Sequence, residues 1–252
     1  MSDSGCIDLT TVPLSDLFEY YIPPEDVWFR SNMVVSLDGN YTGPTGHSRD
    51  ISHTTDLLVL QVIRMNSDAV LVGAHTAMGS GYHLDKPRSG AVTLIPNRTR
   101  LVVVSRRLEL SLDAPMFSNG IRPLVITCHS QQREWQMRRE ALLQHVDVHV
   151  LETQHIDGHQ IRDTLISYGL RKVVCEGGPT LLREMLSGGV LNEVCVTVSP
   201  TILGTTNEST AGHVDSALGN TFQNFQFTSL QQGDDYLFVR MQPRNNRYQG
   251  AQ

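Results

Sequence analysis

VVCEGGPTLLREM, residues 173–185, is the stretch of the sequence from which the fold can be argued. A run of β-branched and apolar residues leads into Glu176, two glycines and a proline, and a helix-like pattern follows. Pro179 suits the first turn of a helix, because its missing N–H group leaves no hydrogen bond unmade there and its φ angle is already helical. The stretch therefore predicts a buried strand, a tight turn and a helix.

The same alternation of apolar runs and helical patterns occurs along the chain before this stretch. Short apolar runs are typical of parallel strands that are covered on both faces. Residues 69–73 form a wholly apolar run, and similar, mainly apolar runs occur at residues 100–105, 123–128, 146–151 and 172–177. Helical patterns are found at residues 53–66, 132–145 and 159–170. Strands that alternate with helices predict an α/β fold with a mostly parallel sheet, and ligands of such sheets bind at the carboxyl ends of the strands.

The two ends of the chain differ from this alternating plan. Residues 1–28 predict an N-terminal extension that packs on a main domain at 29–242, whose first strand, 29–36, is closed by the turn dipeptide Asp38-Gly39. EVCVTVSPTILG and YLFVRMQ have no helix pattern between them, which predicts antiparallel strands near the C-terminus. The polar tail 243–252 is expected to be disordered.

The helix at 53–66 has a candidate start and a candidate core face. Ser52 directly precedes it and is a residue type favoured at the N-cap. Leu57, Leu60 and Ile63 recur at helical spacing. The pattern predicts that these three side chains face the core.

Composition excludes several classes of protein. The net charge of -6 argues against a non-specific nucleic-acid binder, which needs a basic face. The sequence contains no apolar run of roughly 18 residues, which is the length that would predict a membrane span. The N-terminus lacks the charged-then-apolar pattern of a signal peptide. The four cysteines are far apart, as expected of reduced thiols in a cytoplasmic protein. The ten histidines form no zinc motif, and neither a P-loop nor a G-x-S-x-G elbow is present.

The Glu176–Pro179 turn is a candidate anion site. Gly177 and Gly178 place no side chain in front of the first amides of the following helix, and such an N-terminus accepts an anion such as pyrophosphate. Glu176 is expected to face a neighbouring substrate rather than the anion. The motif is shorter than the G-x-G-x-x-G fingerprint, so a plain strand-to-helix junction remains the alternative.

Two further strand ends carry candidate binding residues. Gly73 ends the run at 69–73, and Thr76 and Ser80 follow it. The small residues there suit either close approach of a ligand to the backbone or a flexible connector. Ser105 and Arg106 end the run at 100–105. A hydroxyl and a guanidinium at that place suit the 2′-phosphate of NADPH, and a solvated strand end is the alternative.

Three motifs in order resemble the reductase family of riboflavin biosynthesis. They are MVVSLDGNYTGPTGHSRDIS, RMNSDAVLVGAHT and EGGPTLLREML followed by LNEVCVTVSPTILG. The resemblance covers roughly residues 29–241. It implies a dihydrofolate-reductase-like three-layer fold, in which a central, mostly parallel sheet with antiparallel C-terminal strands is flanked by helices. It also implies a homodimer that transfers a hydride from NADPH to a pyrimidine ribosylamine phosphate.

The resemblance also implies roles for individual residues. Arg64 is implied to hold the substrate phosphate, and Glu176 to face the pyrimidine. The substrate set is Ser48, Arg64, Leu84 and Glu176. The cofactor set is Val34, Asp50, Thr76, Ser80, Ser105, Arg106, Gly177, Gly178, Pro179, Thr180 and Leu181, and no metal ligand is expected.

This sequence departs from the family pattern at three points. Asp50 stands where many members have tryptophan, and Ser80 where the bifunctional enzymes have aspartate. No H-x-E followed by P-C-x-x-C is present, so the zinc deaminase chemistry is not expected of this chain. Two alternatives to the pyrimidine reductase therefore stay open. They are an NADPH-dependent reductase of another heterocycle, such as dihydrofolate, and a non-catalytic nucleotide-binding paralogue.

Overall fold

The computed structural model of the chain describes residues 6–79, 84, 99–114, 120–204 and 223–244. The strands are β1 Trp28–Ser36, β2 Ala69–Gly73, β3 Arg100–Val104, β4 Leu124–Cys128, β5 Asp147–Leu151, β6 Lys172–Cys175, β7 Glu193–Ser199, β8 Phe225–Gly233 and β9 Tyr236–Pro243. The helices are α1 Leu14–Tyr20, α2 Thr54–Met65, α3 Ala74–Met78, α4 Arg133–Leu142, α5 Gly158–Ser167 and α6 Pro179–Ser187, with a 3-10 turn at Ser48–Ile51.

These strands form one sheet in the order β5-β4-β3-β2-β6-β1-β7-β9-β8. Every pairing from β5 to β7 is parallel, whereas β9 pairs antiparallel with both β7 and β8. The first strand of the chain therefore lies near the middle of the sheet, between β6 and β7. The predicted mostly parallel sheet with antiparallel C-terminal strands is confirmed.

Helices cover the two faces of the sheet and bury two apolar clusters. In β2, Val70 and Val72 point to the cluster shared with α2 and α4, while Ala69 and Leu71 point to the cluster shared with α5 and α6. This alternation is the period-two geometry of a strand, and it explains why the run reads as apolar throughout. The result is the predicted three-layer arrangement of helices, sheet and helices.

The segment before β1 packs closely on the sheet. Leu17 and Tyr21, in and just after α1, are each only 1% exposed. Upstream of α1, the amide of Leu9 donates to the carbonyl of Gln232 at 2.7 Å, so this segment borders the end of β8. Residues 6–27 therefore contribute to the core of the main body.

Helix α2 differs in detail from its prediction. Its N-cap residue is His53, and the hydroxyl of Ser52 donates instead to Asp56. The core face is carried by Val59, Val62 and Ile63, while Leu57 and Leu60 are only half-buried. The N-cap prediction for Ser52 was wrong, because a carboxylate one turn into the helix binds its hydroxyl.

The C-terminal part contains one strand that no sequence pattern predicted. FQFTSLQQG has little hydrophobic alternation, yet it forms β8 and pairs along its length with β9. A register shift between Phe227 and Ser229 interrupts this pairing. The strand β9 ends at Pro243, and residues 245–252 of the predicted tail lie outside the described residues. None of the described helices is long and apolar enough to cross a bilayer.

Candidate functional site

A cavity of about 1000 Å³ opens at the carboxyl ends of the central strands. Its walls come from the ends of β1, β2 and β3, the loop before α2, and the N-terminal parts of α5 and α6. Two backbone hydrogen bonds hold its floor, from the amide of Gly73 to the carbonyl of Gly177 at 2.8 Å and from the amide of Glu176 to the carbonyl of Leu71 at 3.0 Å. The ends of β2 and β6 are thereby fixed side by side.

The turn into α6 forms one wall of the cavity. Gly178 is the N-cap residue of α6, Pro179 begins the helix, and the peptide bond between Gly177 and Gly178 is cis. Gly177 has a φ of 80°, a conformation that favours glycine. A Cβ atom added to Gly178 would lie 3.4 Å from the hydroxyl of Thr76, in the gap between this turn and α3. The glycines thus leave open the space in front of the first amides of α6, which suits a pyrophosphate.

Glu176 places a carboxylate on the cavity wall beside this turn. Its Oε1 accepts from Nε of Arg64 and its Oε2 from Nη2, each at 2.6 Å. Both side chains are buried, with 6% and 7% of their surface exposed for Arg64 and Glu176. Arg64 reaches the carboxylate from the last turn of α2 and does not line the cavity itself.

The loop between β1 and α2 forms the mouth of the cavity. Asp38 of the S-L-D-G motif accepts from the hydroxyl of Ser36 at 2.6 Å and from the amide of Gly204 at 2.8 Å. The hydrogen bond from Ser36, followed by those from the backbone amides after β7, lowers the pKa of Asp38 to about 2. Asp38 is therefore ionised at neutral pH, and its hydrogen bonds hold the end of β1 against the loop after β7. The role of this aspartate is structural.

Most of the predicted turn and strand-end residues line this cavity. Of the predicted cofactor residues these are Thr76, Arg106 and residues 178–181, and of the predicted substrate residues Ser48 and Glu176. Thr76 lies on α3 and Arg106 follows β3, so neighbouring parallel strands bring them together. These placements agree with the geometry that a bound dinucleotide and a small substrate need, and their binding roles stay predictions.

Two predicted cofactor residues have other contacts. The exposed carboxylate of Asp50 accepts from the amide of Thr45 at 2.7 Å and from its hydroxyl, which closes the loop before α2. The hydrogen bond from the Thr45 hydroxyl, first among several, lowers the pKa of Asp50. Ser105 is buried, and its hydroxyl accepts from the amide of Leu108 at 3.1 Å. Both side chains shape loops that border the cavity.

Three further predicted residues lie away from the described cavity wall or outside the described residues. Val34 lies two residues before the end of β1, opposite Thr197 of β7, and is not among the residues that line the cavity. Leu84 is 6% exposed and belongs to the apolar cluster of α2 and α4. Ser80 lies outside the described residues.

The cavity also contains residues that the sequence patterns did not single out. Asp157 is the N-cap of α5, where it forms a capping box with Gln160. The D-x-x-Q spacing is a sequence signal for that helix start, though not for a binding site. The other polar ones that line the cavity include His47, Arg49, His75, His155 and Arg183. No local motif marks them, because they come from four separate segments.

The described part of the chain contains no candidate site for metal or thiol chemistry. No cluster of three or more His, Cys, Asp or Glu side chains is found among the described residues. All four cysteines are free thiols, and Cys175 and Cys195 are buried. Burial raises the pKa of each of these two thiols to about 12, which keeps them neutral.

The chain is similar in sequence to known proteins of one family. The family model for the RibD C-terminal domain matches residues 27–238. The 2,5-diamino-6-ribosylamino-4(3H)-pyrimidinone 5′-phosphate reductase of Methanothermobacter thermautotrophicus is 32% identical over 178 residues, which are 69% of this chain and 77% of that protein. The riboflavin biosynthesis protein RibD of Aquifex aeolicus is 24% identical over 80% of this chain and 54% of its own length.

Solved structures show the same fold. A pyrimidine reductase-like protein from Corynebacterium diphtheriae has a TM-score of 0.71 at 23% identity, covering 94% of this chain and 96% of that one. A deaminase/5-amino-6-(5-phosphoribosylamino)uracil reductase from Thermotoga maritima has a TM-score of 0.65 at 20% identity, covering 91% of this chain and 60% of that one. Since the family model spans almost the whole described body, from the start of β1 to β9, the chain belongs to the RibD C-terminal domain family.

Proposed function

We propose that the chain is an NADPH-dependent reductase of a 6-ribosylaminopyrimidine 5′-phosphate in riboflavin biosynthesis. The observation that carries the proposal is a single cavity that joins a side-chain-free helix N-terminus at Gly178 to the buried carboxylate of Glu176. Relatives from the same family are named as reductases of such pyrimidines. The cavity supports both halves of this reaction, a dinucleotide and a hydrogen-bonding heterocycle.

Different residues of the cavity are placed to bind the cofactor and the substrate. NADPH, when bound, supplies the hydride. The first amides of α6 are placed to bind its pyrophosphate, and Arg106 its 2′-phosphate. Glu176 is placed to accept hydrogen bonds from the N–H groups of a pyrimidine and so to orient the ring. The role of the protein is to fix donor and acceptor at a reactive distance.

The proposal is tested by oxidation of NADPH with three compounds in parallel. These are the diaminopyrimidinone ribosylamine phosphate, its deaminated uracil counterpart, and dihydrofolate. We expect oxidation with at least one of the two pyrimidines and none with dihydrofolate. Oxidation with dihydrofolate alone would show that the substrate is wrong, and saturable NADPH binding without oxidation of any of them would favour the non-catalytic paralogue.

Arg106 is expected to set the preference for NADPH over NADH. Replacing it with glutamine removes a charged hydrogen-bond donor, so the dissociation constant of NADPH should rise roughly tenfold to a hundredfold while that of NADH stays unchanged. Both constants are measured by titration of nucleotide fluorescence. Arg107→Gln is the matched control, because this neighbour is also exposed but does not line the described cavity. Equal affinity of the wild-type protein for NADPH and NADH would rule out this role.

We further propose that the protein forms a homodimer through the sheet face of β7, β9 and β8. The register places Val194 and Val196 of β7 beside Met241 and Val239 of β9, all half-buried. On β8, at the end of the strand order, Phe227 is 74% exposed and also lies opposite Met241. Exposed apolar side chains on an edge strand and its neighbours need cover, and a two-fold axis lets one copy cover the other.

Phe227→Glu is expected to break this dimer. A carboxylate within the proposed contact would have to be desolvated without a partner. Sedimentation at micromolar concentration should then show monomers, whereas the wild-type protein sediments as a dimer. Met137→Glu on α4 changes another side chain that is 64% exposed and should leave the dimer intact. A monomeric wild-type protein would contradict the proposal.

We also assign the protein to the cytoplasm, with small molecules rather than membranes or nucleic acids as its ligands. One exposed and three buried cysteines remain thiols, which suits a reducing compartment. The net charge of -6 disfavours binding to nucleic acid.

A further inference from the structure

The cavity reaches both faces of the sheet. Val174 belongs to the apolar cluster shared with α2 and α4, and Cys175 belongs to the cluster shared with α5 and α6. Because side chains alternate along a strand, Glu176 points to the α2 face, where it accepts from Nε of Arg64 at 2.6 Å. Helix α6, whose first amides suit a pyrophosphate, covers the opposite face. A ligand that uses both features therefore crosses the carboxyl edge of the sheet.

Glycines form the middle of that edge. In the strand order β3-β2-β6-β1, the strand β2 ends at Gly73, and β6 leads through Glu176 into Gly177 and Gly178. These glycines place no side chain over the backbone, so a flat ligand can approach it closely. They form the floor of the cavity between the two faces.

Apolar side chains flank this glycine floor at both ends. Val104 is the last residue of β3, and Met33 lies on β1. Both line the cavity, and both pack against the cluster of α5 and α6. The strands β3 and β1 are three strand spacings apart, which is about 14 Å. The floor therefore lies between two apolar walls.

Met33 lies directly against the turn at Gly177. A Cβ atom added to Gly177 would lie 3.1 Å from Sδ of Met33 and 3.3 Å from its Cε, closer than an ordinary van der Waals contact. Met33 is only half-buried, and its side chain lines the cavity as well. The wall at the β1 end is thus a thioether that touches the floor.

Arg106 indicates the direction in which the cofactor crosses this floor. It lies two residues after Val104, and its guanidinium is placed to bind the 2′-phosphate on the adenosine half of NADPH. The first amides of α6 are placed to bind the pyrophosphate, which joins the two halves of the dinucleotide. With the adenosine half at the β3 end, the nicotinamide half is directed to the β1 end, where Met33 lies.

We propose that Met33 contacts the nicotinamide ring of NADPH and holds that ring over the glycine floor. This inference rests on the proposed function, because it concerns the cofactor of that reaction. A thioether is polarisable and adapts its shape, which suits packing against a flat ring. An apolar side chain at this place also keeps water away from the ring.

The contact is tested by calorimetric titration with two ligands, NADPH and 2′-phospho-ADP-ribose, which lacks the nicotinamide. Met33→Ser should raise the Kd of NADPH about tenfold and leave that of 2′-phospho-ADP-ribose within about twofold. Met33→Leu keeps an apolar side chain and should leave both constants within about threefold. Met33→Gln keeps the length but not the apolar end, and it should show the same selective loss as serine if unfolding curves show that Met33→Ser is not folded.

Fluorescence gives a second readout that does not depend on turnover. NADPH bound to the wild-type protein should emit at a shorter wavelength than free NADPH, because its ring lies on an apolar surface. Met33→Ser should reverse part of this shift. Val35→Ser is the matched control, since Val35 lies two residues along β1, is also half-buried and does not line the described cavity. It should change neither the Kd of NADPH nor the shift.

The inference and the proposed function fail in different ways. Equal weakening of both ligands by Met33→Ser would show that Met33 acts through the turn rather than on the ring, and would overturn the inference. If a pyrimidine is reduced while Met33→Ser binds NADPH unchanged, the function stands and the contact is wrong. If neither pyrimidine is reduced but the loss is selective for NADPH, the contact stands and the proposed substrate is wrong. A wild-type protein that does not bind NADPH would overturn both.

Discussion

Replacing Glu193 with alanine is expected to lower the free energy of unfolding by about 3–5 kcal/mol. Glu193 is fully buried, and its Oε1 accepts from Nε and Nη2 of Arg240, each at 2.7 Å. Its Oε2 lies 3.4 Å from Nε of Arg30, a side chain that is itself only 1% exposed. Burial lowers the pKa of Arg30, and the neighbouring carboxylate of Glu193 opposes this effect. Removing Glu193 leaves two buried cations without their shared anion.

The measurement is thermal and urea unfolding followed by circular dichroism. For a domain of this size the midpoint temperature should fall by roughly 10 °C. Glu109→Ala is the matched control, because Glu109 pairs with Arg138 at the surface, with 54% and 42% of the two side chains exposed. Such an exposed pair contributes about 0–1 kcal/mol. A Glu193→Ala protein as stable as the Glu109→Ala protein would contradict the expectation.

Gly178→Val is expected to weaken NADPH binding about a hundredfold or more. Gly178 has a φ of -68°, which any residue can adopt, so the backbone itself does not oppose the change. A Cβ atom there already lies 3.4 Å from the hydroxyl of Thr76, and the two methyl groups of valine extend farther into the same gap. The pyrophosphate would be displaced from the amides of α6, and each lost hydrogen bond to this charged group costs about 1.5–3 kcal/mol.

Fluorescence titration with NADPH gives the dissociation constant, and unfolding curves show whether the fold is retained. Gly178→Ala is the graded control, since its single methyl group makes an ordinary contact and should cost less than about tenfold. We expect both variants to stay within about 1 kcal/mol of the wild-type stability. Unchanged NADPH affinity in Gly178→Val would place the cofactor elsewhere in the cavity.

The strands and the turn at Gly177-Gly178 could be predicted because they depend on local patterns. Apolar runs identified the parallel strands, and Pro179 after two glycines correctly marked the start of α6. The edge strand β8 was missed because a strand exposed on most of its side chains has no apolar run. For Ser52, a local rule was overridden by a second local contact, with Asp56.

The residues that the side chains of the site contact could not be predicted from local patterns. Arg64 and Glu176 are 112 residues apart in the sequence, and a motif shows neither the pairing nor its fork geometry. Asp38 has the same property, since its backbone partners are Leu203 and Gly204. The family resemblance supplied the candidate positions. The contacts that decide what each side chain can do depend on the order of strands in the sheet.

That strand order also has a consequence for how the chain reaches its native state. The central strand β1 is made first on the ribosome, but its neighbours are β6 and β7, and the contact from Trp28 to Glu193 spans 165 residues. Contacts of such long range slow folding, because the entropy of closing the loop is lost before any pairing is gained. The N-terminal half therefore emerges with an apolar strand that has no partner. We infer that β1 gains both of its neighbours late, only after residue 199 has left the exit tunnel.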